Sequence, residues 1–135
     1  MKTIKLDKDI QVMYVTATSF PDGIQEAFEK LHLTVPVSAN RRVFGISRPE
    51  GGNGIVYRAA VEEIEDGEAK EYGLQTLILK KGNYVSTTIH NFSDDVESIG
   101  RTFRQMLDEP NIDPQGYCVE IYSNNDVECI VRLEQ

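Results

Sequence analysis

The chain has 135 residues and a formal charge of −8, from 22 Asp and Glu against 14 Lys and Arg. That balance is opposite to the basic footprint that displaces counterions from nucleic acid, so direct nucleic-acid binding is not expected. With 40% hydrophobic and 27% charged residues the composition is that of one globular domain that can bury a core without staples.

No apolar run approaches the ~18 residues of a membrane span. The opening stretch Met1–Asp9 lacks a signal-peptide core, and the cytoplasm is the expected location. Two cysteines, Cys118 and Cys129, and two distant histidines, His32 and His90, supply neither a disulfide framework nor a zinc set. No metal and no cofactor is expected.

In chain order, Ile10–Thr18 is β-branched and short, as a strand is. After Phe20-Pro21-Asp22-Gly23, the residues Ile24, Ala27, Phe28 and Leu31 recur at helical spacing on one face. Asp22 and Gln25 form a candidate capping pair at the start of that helix. Arg42–Arg48 and Ile55–Glu62 make a hairpin around Pro49–Gly54. Its Gly51-Gly52-Asn53-Gly54 lacks the helix and the Lys-Ser/Thr of a phosphate loop and is a turn. Ile64–Gly73 is acidic and glycine-punctuated, a connector without evident chemistry.

Leu74–Leu79 is an apolar strand, followed by a turn at Lys80–Asn83 and a strand at Tyr84–His90. Phe92-Ser93-Asp94-Asp95 then leads into a helix with Val96, Ile99, Phe103, Met106 and Leu107 on one face. Asp94 and Glu97 are its candidate capping pair, and Pro110 and Pro114 close it. Tyr117–Tyr122 and Val127–Leu133 form the last hairpin, around Ser123–Asp126.

The second half repeats the first. Phe20 and Phe92, and Asn53 and Asn125, are each 72 residues apart. The same offset places Ile24 on Val96, Ile55 on Val127, Val61 on Leu133 and Glu62 on Glu134. The expected fold is α+β: a duplicated strand–helix–strand–strand unit with pseudo-twofold symmetry, antiparallel sheets and two main helices. Repeat one covers about 10–62, the connector about 63–73 and repeat two about 74–134. The seam between the halves is the expected ligand cleft.

One side chain in the last hairpin stands out. With the turn on Asn124-Asn125, Tyr122 lies opposite Val127 and Glu120 opposite Cys129. Alternation then puts Cys118, Glu120, Tyr122, Val127, Cys129 and Val131 on one face, apolar apart from a single carboxylate. Such a group is either exposed or ion-paired, with Arg58 or Arg132 as candidate partners, or held unpaired with its pKa raised. The 72-residue offset places Tyr57 where Cys129 stands in the second half, facing the same seam. An acid flanked by tyrosines is a receptor for a cation. Cys118 and Cys129 sit diagonally, about 7–8 Å apart, too far for an unstrained disulfide.

Three motifs now carry a resemblance: Lys81-Gly82-Asn83-Tyr84 after an apolar strand, Phe103 and Leu107 on the second helix, and Cys118-Val119-Glu120-Ile121-Tyr122. The chain resembles the GyrI-like small-molecule-binding domains, which also serve as effector-binding domains of AraC- and MerR-type transcription regulators. The resemblance implies the duplicated fold and places Glu120 in a cleft that meets cationic, aromatic drugs. It departs from the family in having no tryptophan, and no helix-turn-helix is found in these residues.

The candidate ligand-binding set is Glu120, Tyr57, Tyr122, Tyr84, Cys129, Cys118 and Phe44. The expected function is non-enzymatic binding of a small, apolar, cationic organic molecule, with Glu120 as counter-ion. Two alternatives stand beside it. One is a hydrolase of reactive electrophiles, with Glu120 as acid–base and Tyr57 assisting. The other is a protein-interaction module, such as a gyrase modulator, using the acidic patches Glu62–Asp66 and Asp94-Asp95.

Overall fold

The computed structural model describes residues 1–52 and 54–135; the repeat match at Asn53 lies outside them. Among the described residues there are eight strands: β1 (Lys2–Leu6), β2 (Ile10–Thr16), β3 (Val43–Pro49), β4 (Ile55–Glu62), β5 (Gln75–Leu79), β6 (Gly82–Ile89), β7 (Cys118–Ser123) and β8 (Asp126–Arg132). The helices are α1 (Ile24–Thr34), α2 (Glu68–Tyr72) and α3 (Ser98–Met106), with a 3-10 turn at Phe92–Asp94.

The strands form one antiparallel sheet in the order β1-β6-β8-β7-β3-β4-β2-β5, not two separate sheets. The order is a palindrome about the β7·β3 pair: β6, β8 and β7 stand to one side as β2, β4 and β3 stand to the other. The outer strands are exchanged relative to chain order. β5, which falls in the stretch 74–134, pairs with β2, and β1 pairs with β6. β1 is absent from the sequence expectation, since Lys2–Leu6 is short and two of its five residues are lysine.

Chain geometry requires the sheet to curl. Only Lys80 and Lys81 separate β5 from β6, a reach of roughly 11 Å. Those strands are six places apart in the sheet, roughly 29 Å if it were flat. The two edges therefore approach each other, giving a half-barrel. On the inner face a single cluster gathers Ile10, Val12, Phe44, Ile46, Ala60, Leu79, Tyr84, Val119 and Ile130, with Ile4 and Leu6 from the opposite edge packed against it.

Both long helices lie on the other face. Ala27 and Leu31 of α1 pack on Met13, Ala59 and Val61. Phe103 and Met106 of α3 pack on Val85, Val127, Cys129 and Val131. Each helix thus covers its own half and leaves the β3·β7 seam between them.

The helix boundaries differ from the sequence expectation. Gly23, not Asp22, caps α1, and it has no side-chain bond to give; its N–H donates to the Ser19 carbonyl. Glu97 stands at the cap of α3 without a side-chain bond, and Asp94 belongs to the preceding 3-10 turn. Val96 and Leu107, expected on the buried face, flank the helix and are 60% and 50% exposed. The stretch Ile64–Gly73 is more than a connector. Glu68 there accepts two bonds from Arg41 and backbone N–H bonds from Ile64 and Glu65, which close the turn ahead of α2.

Candidate ligand cleft

Register places the site. On β7, Glu120 lies between Cys129 of β8 and Gly45 of β3, and Tyr122 lies between Val127 and Val43. One strand further, Tyr57 of β4 is opposite Ser47. Period-2 alternation turns Glu120, Tyr122, Tyr57 and Ser47 toward the helices. They form the floor of a cleft of about 450 Å³. Its walls are Phe20, Pro21 and Ile24 at the head of α1, Val96 just ahead of α3, and Ile99 and Phe103 along α3, with Glu97 and Arg104 also lining it.

Glu120 is only 6% exposed. The Tyr57 hydroxyl donates to its Oε1 at 3.0 Å, and the Tyr122 hydroxyl donates to the same oxygen. Neither bond uses Oε2. No basic side chain among the described residues pairs with Glu120. Arg58 is held by Glu50 at 2.6 Å and Arg132 by Asp113 at 3.1 Å, so both proposed partners are committed elsewhere.

Burial raises the Glu120 carboxyl above the ordinary glutamate value, and the two tyrosine bonds offset part of that rise. The tyrosines are pushed up in turn, by burial first and then by the Glu120 charge. They act as O–H donors and not as phenolates.

The tyrosines are set by aromatic packing. Tyr57 stacks on Phe20 with ring centroids 6.0 Å apart and meets the Phe28 edge at 6.2 Å. Tyr122 meets Phe28 at 5.9 Å and Phe92 at 5.4 Å. Such pairs are each worth about 0.5–1.5 kcal/mol beyond area burial. Phe28 comes from α1 and Phe92 from the turn ahead of α3, so both halves position the site.

Of the sequence-derived candidates, the structure brings Glu120, Tyr57 and Tyr122 together, with Cys118 and Cys129 beside them. Both cysteines are free. Burial, followed by the Glu120 charge, pushes their thiols up to about 11 for Cys118 and about 12 for Cys129. Both side chains are thus held as thiols, and neither lines the cleft.

Phe44 and Tyr84 are not at the cleft. Phe44 neighbours Gly45 on β3 and so points to the inner face. Tyr84 lies in the same inner cluster, its hydroxyl donating to the Lys80 carbonyl at 2.6 Å. Sequence reasoning missed the walls Phe20, Ile24, Val96, Ile99 and Phe103 as site residues. The Phe20/Phe92 repeat did mark the right segments, but as evidence of duplication. No group of His, Cys, Asp or Glu among the described residues is arranged to hold a metal ion.

No family model and no curated protein matches the chain. Solved structures do match over nearly its whole length. An integron cassette protein from the mobile metagenome of Vibrio cholerae superposes with a TM-score of 0.72 at 16% identity, covering 98% of this chain and 95% of that one. The protein SAV2435, solved bound to tetraphenylphosphonium, gives 0.67 at 12% identity, covering 98% and 93%. A putative bacterial transcription regulation protein from Staphylococcus aureus gives 0.59 at 12% identity, covering 99% and 97%. At these identities the likeness defines the class of fold, an α+β half-barrel with two helices on one face.

Proposed function

We propose that the cleft binds a lipophilic organic cation with Glu120 as its counter-ion, in the manner of a GyrI-like effector-binding domain. The observation that carries this reading is a carboxylate buried in an aromatic cleft with no basic partner among the described residues. An unpaired buried acid is costly to keep, and a cationic ligand would supply the partner that Arg104, at the cleft wall without an ion pair to Glu120, does not. The volume of about 450 Å³ lies within the usual range for small-molecule pockets. Tyr57 and Tyr122 add ring faces to the charge. The tetraphenylphosphonium held by one structural neighbour belongs to the same chemical class.

Tetraphenylphosphonium and its isosteric anion tetraphenylborate are the discriminating probes. Tetraphenylphosphonium has no hydrogen-bond donor, but opposite charges roughly 6 Å apart at an effective dielectric of about 20 attract by about 3 kcal/mol. Glu120→Gln is therefore expected to weaken its binding by roughly tenfold or more. Calorimetry on wild type and variant is expected to show binding of the cation alone, lost or weakened in the variant. Equal affinity in the two proteins would remove Glu120 from the site.

A second reading, hydrolysis of an electrophilic small molecule, draws on the same triad. As the oxygen of an attacking water bonds to the electrophilic carbon and the C–O bond of the substrate breaks, Glu120 Oε2 would take the water's proton. A tyrosine O–H turning from Oε1 would hydrogen-bond the leaving oxygen, and Glu120 would return the proton to that oxygen. Turnover of a strained electrophile such as an epoxide, absent in Glu120→Gln, separates this from simple binding. The protein-partner reading has less support. Glu62 is engaged by Arg42, Glu63 by Gln11 and the Ala69 N–H, and Asp95 by Arg101, so much of the acidic surface serves the fold.

A further inference from the structure

Tyr57 and Glu120 are on strands that do not touch. β3 runs between them, and its residue opposite Glu120 is Gly45. A glycine inside a strand is destabilising relative to alanine, and it often marks a place where another group comes close. Gly45 is not one of the glycines with positive φ, so its backbone conformation does not call for glycine. The space above it does. A Cβ at position 45 would stand 2.0 Å from the Tyr57 hydroxyl oxygen, 2.8 Å from its Cζ and 2.7 Å from Glu120 Oε1. The phenol tip occupies the volume that any other residue would fill.

We infer that Gly45 is a positioning residue of the site: its missing side chain opens the lane across β3 through which Tyr57 reaches Glu120, and so sets the depth of the cleft floor. Phe20 stacks on the Tyr57 ring and Phe28 meets it edge-on. A ring lifted off Gly45 therefore moves up into the cleft. A side chain at 45 has two effects: it removes one of the two donors to Oε1, and it fills space meant for the ligand. The effect on ligand rests on the cation-binding reading. The effect on the carboxyl does not.

The test follows the Glu120 carboxyl by carbon NMR through a pH titration of the unliganded protein, in wild type, Tyr57→Phe, Gly45→Ala and the double variant. A hydrogen bond to the ionised form holds a carboxyl pKa down, so each single variant raises the midpoint by about one unit. The double variant rises by less than the sum of the two, because both changes break the Tyr57 bond; any remainder reports the 2.7 Å contact of the new Cβ with Glu120 Oε1. An unchanged midpoint in Gly45→Ala, or fully additive shifts, overturns the inference.

Tetraphenylphosphonium affinity in Gly45→Ala falls roughly tenfold or more in parallel. If wild type does not bind that cation, the proposed function fails while the titration still decides the role of Gly45. If Gly45→Ala does not fold, Gly45→Ala/Tyr57→Ala removes the ring from the contested space. Recovery of a folded protein supports the inference. An unfolded double variant means that glycine is needed there for another reason, and the inference falls.

Discussion

At the scale of single residues, Glu120 is a stability cost that the cleft carries. Its pKa is raised in the folded chain, so between the ordinary value of 4.5 and the raised one the folded state holds a proton that the unfolded state has released. Its relative contribution to stability is therefore full below 4.5 and is lost as pH rises through the folded value. Glu120→Gln is expected to raise the melting temperature of the unliganded protein at neutral pH, with the gain shrinking toward pH 4.5. A variant no more stable than wild type at neutral pH would mean that the carboxyl is well compensated as it stands. On the proposed function, cation binding is expected to have the opposite pH dependence, because it needs the ionised form. Affinity is then expected to rise with pH through the same window with release of protons, which calorimetry in buffers of different ionisation enthalpy detects.

At the scale of elements, α2 shows how an acidic segment with no apolar periodicity becomes ordered. Gly67 and Gly73 take left-handed conformations at its two ends, with φ of 90° and 71°. The Glu68 carboxylate ties its start to Arg41 ahead of β3. The Arg41 guanidinium first, and then the backbone N–H groups, hold Glu68 down to about 2. Arg58, with Arg48 assisting, does the same for Glu50. Depressed carboxyls act with the opposite sign to Glu120: their stabilisation is present above 4.5 and is lost as pH falls toward about 2. Arg41→Ala is expected to cost about 2 kcal/mol at neutral pH and to flatten the loss of stability below pH 4.5. Urea unfolding of both proteins across that interval measures it. Parallel curves would assign the acid sensitivity to other groups.

At the scale of the whole molecule, the two halves are symmetric but not independent. The inner cluster draws Phe44, Ile46 and Leu79 from one half and Tyr84, Val119 and Ile130 from the other, and the sheet continues through the β3·β7 pair. Residues 9–79 contain β2 to β5 with α1 and α2, a contiguous spatial half. Alone they leave β3 with an open edge and the inner face uncovered. This fragment is expected to show no cooperative thermal transition by circular dichroism. A sharp transition would make the half a domain in its own right. The cleft belongs to the whole, since Phe28 from one half and Phe92 from the other both pack on Tyr122.

The sequence by itself determined the strand alternation, the helix faces at Ala27, Leu31, Phe103 and Met106, the repeated order of elements and the register of the last hairpin. From that register it placed Glu120 opposite Cys129 on an apolar face, because alternation and tight turns are local properties of the backbone. Asp22 and Asp94 misled because a cap depends on where the first turn closes, which packing shifts by a residue or more. Only the tertiary structure decided that Arg58 and Arg132 are taken by Glu50 and Asp113, leaving Glu120 without a cation. Only it showed that Phe44 and Tyr84 belong to the inner face, and that Tyr57 reaches Glu120 over Gly45. Those outcomes rest on strand order and on groups 63 residues apart in the chain. No local period encodes them; they follow from how the sheet curls and which side chains then compete for the same space.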